Sequence, residues 1–554
     1  MSAGLAVPPP VPETGPAVGA AAVPAPVRAS SPVSLGAAPA TAPTAAPVPV
    51  PAPVVPVPVS DGGPANDQSR APLADLLARE LPGRFRWTVP GHLGGRCAPP
   101  RAVELLGEQL HAADLWPDQE RYARALADSE TLAARAWRAA AAHLLTGGAT
   151  AGNLAWMFAS LRAGDTVIVD SACHVSILTG LRLRPGVRPV WVQREIAPDL
   201  GVPLPLDPAA VARALQENPG ARQVIVTSPS YAGTGSPVRA IADLAHAAGA
   251  RLYVDAAWAP HGRWLPGDGL DPLASGADAC VVSLHKTGAA LSGAAVLLTA
   301  AGLDPAWQAR VGAEVEGLRS TSPLLPVLAS SDLARSALAT AGAPGVALAV
   351  ELAADLRERC LAVPGVGVPG PVGDGPSDPL KLVLDVSAGG LTGFEVQRRL
   401  RAESTHVEGA DLRRLYLVLP ATPGLDESGA EARRALPRAL GRVLAAAVRV
   451  GGGRRRPGRH LRVSPSVWAA SRGEQVLLPS EAGERATERV PLERAAGRVA
   501  AEHAAPYPPG VPVWVPGERI TPEAVALLRE IRAAGGTVHG LRDPEARTVG
   551  VIPG

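Results

Sequence analysis

The chain has 554 residues, with 53 Lys and Arg against 51 Asp and Glu and a formal net charge of +2. That length is too great for one hydrophobic core, so two or three domains are expected. The near-neutral charge excludes a nucleic-acid binder that works by broad phosphate neutralisation.

Ala, Pro and Val supply 45 of the first 68 residues. Prolines this dense remove backbone donors and block helix and sheet, so the segment reads as a disordered, polyproline-like tail. No basic stretch leads into a compact apolar one, so no secretory signal is expected. No apolar run reaches the roughly 18 residues of a membrane span. Cys97, Cys173, Cys280 and Cys360 lack the close spacing of a zinc site or disulfide framework, which suits a reducing cytoplasm; no metal site is expected.

From Ala71 the pattern becomes globular. LADLLAREL and ERYARALADSETLAARAWRAAAAHLL carry helical apolar spacing. Six β-rich runs follow: DTVIVD (165–170), RPVWVQ (188–193), RQVIVT (222–227), RLYVD (251–255), DACVVS (278–283) and GAAVLLT (293–299). Helical patterns such as DPAAVARALQEN and VRAIADLAHAAG separate several of them. Near-continuous apolar strands alternating with helices predict an α/β fold with a mainly parallel sheet. Its ligands are expected beyond the carboxyl ends of the strands.

Residues 69–345 are read as an N-terminal arm and large domain. Residues 346–450 are read as a small α/β domain, with strands in KLVLDVS and RRLYLVLP. GGGRRRPGR opens a basic Gly/Arg linker over 451–462, and 463–554 form a C-terminal α+β domain.

The chain keeps only two lysines, Lys286 and Lys381, among its basic residues. Lys286 directly follows the strand DACVVS. An amine can form a Schiff base and loses its proton readily on burial; a guanidinium does neither. Asp255 ends RLYVD, where a carboxylate can pair with a protonated pyridine nitrogen or simply cap a turn. TGGATAGN (146–153) links two helical stretches and offers free N–H groups for a phosphate, or is a plain connector. His174 follows DTVIVD, placed to stack on a ring, to move a proton or to serve structure. SPSYAGTGSPV (228–238) is a polar loop at the same sheet edge. Lys381 has no such company and no role is assigned to it.

Taken together, these segments resemble the bacterial ornithine/lysine/arginine decarboxylase family, a fold-type-I family dependent on pyridoxal 5'-phosphate (PLP). GRFRWTVPGHLGG resembles its PGHKGG signature and GGATAGN its phosphate turn. SACHVS resembles the segment of its ring-stacking histidine, and YVDAAWAPH its DEAHGAH stretch. SLHKT is similar to the S-x-H-K-T element, RSTSPLLPVLASSDLARSAL to TSPxYxLxASxD, and EHAAPYPPGVPVWVPGERIT to the C-terminal signature. The resemblance implies that Lys286 is the Schiff-base lysine, Asp255 the partner of the pyridine nitrogen and His174 the stacking residue. Ala149, Thr150 and Ala151 are implied to hold the phosphate, helped by Ser283 and His285, with His285 also a proton donor. Trp258 and Glu518 are implied pocket residues for a basic amino acid that is decarboxylated to its amine. Leu93 stands for the signature lysine, Ala256 for an acid, Gly147 for an asparagine and Leu325 for the aromatic. Those departures keep open another PLP reaction, such as an aminotransferase or lyase, or a non-catalytic PLP-binding protein. A homodimer with the site at its interface is implied, since a proline-rich tail replaces the family's assembly-forming wing. Nucleic acid and membrane are not expected partners, and the cytoplasm is the expected location.

Overall fold

In the computed structural model the described residues are 66–80, 99–106, 119–197, 202–267, 269–322, 324–370, 373–422, 427–450, 472–507 and 510–554. The tail up to residue 65, Cys97, Leu93 with its PGHLGG segment and the GGGRRRPGR run lie outside them.

Seven strands form the main sheet: β1 (Ala141–Leu145), β2 (Thr166–Asp170), β3 (Arg188–Val192), β4 (Gln223–Thr227), β5 (Arg251–Asp255), β6 (Ala279–Val282) and β7 (Ala295–Thr299), in the order β1-β7-β6-β5-β4-β2-β3. β3, β2, β4, β5 and β6 pair in parallel, whereas β7 runs antiparallel to both β6 and β1. Both faces are buried, which is why the strands read as unbroken apolar runs. Leu252 and Val254 of β5 join one core with Cys280 and Val282 of β6. Tyr253, Ala279 and Val281 point into the core on the other side.

All six expected strands form. The stretch expected as one long helix does not stay helical: the helix Gln119–Ala136 ends and AAHLL becomes β1. Arg138, at φ 52, turns the chain. Ala-rich sequence prefers helix, but Ala141–Leu145 fills the sheet edge beside β7, and a full ladder with buried side chains outweighs propensity.

The helix Leu325–Leu361 is long and apolar enough by composition to cross a membrane. It is bent at Gly342, φ 57, and its first half carries the buried Asp332–Arg335 ion pair, whose carboxylate also receives Leu73 N–H and Ser129 Oγ. A second sheet, β8 (Lys381–Asp385), β9 (Gly409–Ala410) and β10 (Arg414–Val418), is antiparallel in the order β8-β10-β9. Five further strands, β11 (Glu488–Pro491), β12 (Val499–Ala500), β13 (Ala505–Tyr507), β14 (Thr537–His539) and β15 (Thr548–Ile552), surround a separate core under the helix Pro522–Ala533.

At the carboxyl edge of the main sheet, Arg194 pairs with Asp170 at 2.6 Å, with both side chains fully buried. Arg194 also reaches Thr227 O, so it ties the ends of β2 and β4. Removing one partner leaves a buried charge unpaired. Arg194→Met should therefore cost about 3–5 kcal/mol, read as a lower denaturant midpoint; an unchanged midpoint would contradict this account.

Candidate active site

The parallel strands β2, β4, β5 and β6 all end at one edge, at Asp170, Thr227, Asp255 and Val282. Lys286 lies on the single turn Leu284–Thr287 that follows β6. Its Nζ stands 3.7 Å from the centroid of the Trp258 ring. Burial lowers its pKa to about 8, against the opposing pull of Asp255 and Glu408.

Asp255 is buried at the end of β5. One oxygen accepts from Asn153 Nδ2 at 2.9 Å and the other from Ala257 N–H at 3.1 Å. Asn153 accepts from the Tyr253 hydroxyl at 2.8 Å and donates to Ser176 Oγ at 2.8 Å. Ser176 Oγ lies 2.8 Å from His174 Nδ1, which also accepts from Ser176 N–H at 3.2 Å. With Nδ1 accepting, the neutral ring carries its proton on Nε2. A chain of hydrogen bonds thus joins the histidine expected to stack to the carboxylate expected to pair. Partial desolvation lowers the pKa of His174, whose side chain keeps an exposed edge; Asp255 opposes this and Lys286 adds to it.

The helix Gly148–Ser160 begins at Gly148, φ +67. Its first N–H groups have no acceptor within the helix. Gly293 O takes the N–H of Gly148 at 2.8 Å, and Gly147 offers no capping side chain. The N–H groups of Ala149 and Thr150 remain for an anion, Thr150 is exposed beside them, and the Ala151 N–H closes the first helical turn on the Gly147 carbonyl. His285 Cε1 lies 3.9 Å from where a Gly148 Cβ would stand, so the lysine turn abuts this helix start. His285 Nδ1 is held by Ala294 O at 3.1 Å and Ser283 Oγ at 3.0 Å.

The structure brings together Lys286, Asp255, His174, Ser283, His285, Trp258 and the 149–151 turn. Glu518 has a different part in this chain. Its oxygens accept from Arg472 Nε at 3.0 Å each and from Val515 N–H at 3.1 Å, with both charged side chains buried. A carboxylate this deep needs a fixed partner, and Arg472 is that partner.

Three things were not legible in sequence. Asn153, Ser176 and Tyr253 carry no motif of their own; only the chain of bonds above reveals them. Glu408 precedes β9, whose Gly409 pairs with Tyr416, and its charge acts on Lys286. Lys381, to which the sequence assigned no company, sits with its Nζ 3.2 Å from the same Trp258 centroid. Its isolation in sequence was misleading because β8 belongs to another sheet and meets β5 only through the fold.

Residues 72–363 match the family described as Orn/Lys/Arg decarboxylase, major domain, and residues 469–541 match its C-terminal domain. The chain belongs to the Orn/Lys/Arg decarboxylase family. It is 28% identical over 497 residues to an arginine decarboxylase of Halalkalibacterium halodurans, covering 88% of this chain and 98% of the relative. An arginine decarboxylase of Bacillus subtilis is 29% identical over 484 residues, with 84% and 94% covered. Among solved structures, the constitutive lysine decarboxylase of Escherichia coli superposes with a TM-score of 0.72 at 19% identity, covering 88% of this chain and 82% of that one. Lysine decarboxylase A of Pseudomonas aeruginosa gives 0.71 at 22% identity, covering 88% and 81%. These likenesses show the shared fold-type-I architecture.

The family implies PLP, and the residues of this decarboxylase-family site fit it. Lys286 offers an amine of lowered pKa, the helix start at Ala149 and Thr150 offers N–H groups with no acceptor in the helix, and Asp255 offers a carboxylate oriented by Asn153. Because the amine is uncharged above about pH 8, capture of the cofactor's aldehyde by apoprotein should speed up as pH rises to about 8 and level off above it. An ordinary lysine, of pKa about 10.4, would keep accelerating well beyond that. Stopped-flow absorbance across pH decides between them.

Proposed function

We propose that this protein decarboxylates arginine, in a PLP-dependent reaction held by Lys286 at the carboxyl edge of the main sheet. Decarboxylation of a basic amino acid follows from the family. The choice of arginine is supported by the names of the curated relatives that align along nearly their whole length. The observation that carries the site assignment is the convergence of the Lys286 amine, the Asp255 carboxylate and the helix start at Ala149 on one sheet edge.

PLP, when bound, supplies an aldehyde carbon that an amine captures and a ring that takes up the electron pair left as the carboxylate departs. Lys286 Nζ would hold the aldehyde carbon, and Asp255 the protonated ring nitrogen. Ala149, Thr150 and Ala151 would hold the phosphate, with Ser283 and His285 alongside, and His174 would cover the ring. Asn153 keeps the Asp255 carboxylate in one orientation, so its charge needs no rearrangement during the reaction. Trp258 sets its ring against the Lys286 amine. Lys286 Nζ, freed when substrate enters, and His285 are the groups able to return a proton to the substrate's α carbon. A nearby carboxylate, Glu408, acts on the Lys286 end of the pocket and supports a cationic substrate.

We assign the domains as 69–345, 346–450 and 463–554, and a homodimer in the cytoplasm with the site at its interface and no membrane contact. Carbon dioxide release from arginine, lysine and ornithine by the holoenzyme tests the reading. Arginine should give the highest kcat/KM. Release from lysine or ornithine alone would overturn the substrate, and release from none would overturn the reaction.

A further inference from the structure

The two lysines of this chain meet at one indole. Lys286 Nζ is 3.7 Å and Lys381 Nζ 3.2 Å from the Trp258 centroid. At such distances both nitrogens touch the ring, and Lys381 Nζ has no hydrogen-bond partner.

Lys381 also lines a cavity of about 290 Å³, together with Arg357, Arg414, Thr234 and Ser377 among others. None of its lining residues is acidic. Nearby, Asp378 holds His261 Nε2 at 3.0 Å through Oδ1 and leaves Oδ2 without a hydrogen bond, and Asp411 accepts from Tyr416 OH at 2.7 Å and pairs with Arg414 at 3.5 Å. The charges of Asp378 and Glu408 favour a proton on Lys381, but burial still pushes its pKa well below the usual lysine value. Lys381 is 5% exposed, and its Nζ is buried without a partner; Arg414 is 3% exposed, and its Nε is likewise unpartnered. A buried amine without a hydrogen-bond partner is costly, and the open space beside Lys381 has room for a group that would supply one.

The backbone is shaped to keep this space. The loop after β4 is stitched to the segment before β8 by Gly235 N to Pro376 O at 2.7 Å and Asp378 N to Gly233 O at 2.9 Å. A Cβ on Gly233, φ +91, would meet Lys381 Cβ at 2.7 Å, so only glycine permits so close an approach.

We propose that the cavity beside Lys381 is a second ligand site that takes a small oxyanion, a phosphate or carboxylate, on Lys381, Arg414 and Arg357. It is separate from the cofactor's phosphate turn at Ala149–Ala151, which lies on another element. The Arg357 guanidinium, the remaining N–H groups of Arg414 and the Lys381 amine, which an anion would help to keep protonated, match the several acceptor oxygens of such a group, with hydroxyls at Thr234 and Ser377. The proposal does not depend on which amino acid is decarboxylated.

The test is calorimetric titration of the PLP-loaded protein, in which the cofactor's own phosphate position is filled, with inorganic phosphate and separately with malonate. At least one probe should show a single saturable site with Kd on the order of 1 mM or tighter. Lys381→Met should weaken it about 10-fold or more, the effect of losing one charged hydrogen bond. Arg357→Gln, at a half-buried position, should weaken it in the same direction, and serves if Lys381→Met fails to fold. Tight malonate with no phosphate binding would define the ligand as a carboxylate, and the reverse as a phosphate. Saturable binding by neither, or binding that neither substitution alters, overturns the proposal. Retention of the cofactor's visible band throughout separates this outcome from a failure of the Lys286 assignment.

Discussion

Lys286→Ala should abolish the visible absorbance band of the bound cofactor and lower kcat by about 10⁴-fold or more, the scale of loss when a covalent group is removed from a catalytic unit. The fold should survive. Lys286 is only half-buried on a four-residue turn, and Leu284 and Thr287, not Lys286, supply that turn's buried contacts. Lys286→Arg should be equally inactive, because a guanidinium retains charge but forms no imine. Circular dichroism and carbon dioxide release on the same preparations decide the matter. A variant that keeps the band, or more than a small fraction of the rate, would show that the cofactor is held elsewhere.

Asp255→Asn should lower kcat/KM by about 10²–10³-fold, the usual cost of removing one preorganised electrostatic partner. The shape is kept, so the cofactor should still bind and its visible band should persist. The substitution also places an amide opposite the Asn153 amide, which has donated to Asp255 Oδ2 at 2.9 Å. One of the two amides can turn to satisfy the pair, but the negative charge is gone. Asn153→Ala should act in the same direction and more weakly, since it frees the carboxylate without removing it. A wild-type rate in Asp255→Asn would remove Asp255 from the assigned role.

Much of the site was legible because its parts are local. Lys286, Ser283 and His285 lie within four residues, and the turn containing Ala149, Thr150 and Ala151 is continuous. The six apolar runs were legible because both faces of the sheet are buried, which makes the strands unmistakable in composition. β1 was not, because its sequence favours helix and only pairing with β7 makes it a strand. Glu518 is a related case. Its motif position marks it as important, but only packing shows that Arg472 already holds it.

The sequence by itself determined the chemistry that is available: one amine in a strand-end turn, a carboxylate ending the neighbouring strand and a glycine-rich helix start, in an order that resembles one family. These follow from residue type and spacing along the chain. Tertiary structure decided what depends on residues far apart in sequence. It linked His174 to Asp255 through Ser176 and Asn153, and it set Lys381 against the indole that Lys286 touches. Hydrogen bonds and ring contacts act over a few ångströms, whereas Lys286 and Lys381 are separated along the chain by a strand, two helices and a loop. Only the packing of the second sheet against the first brings them to the same ring.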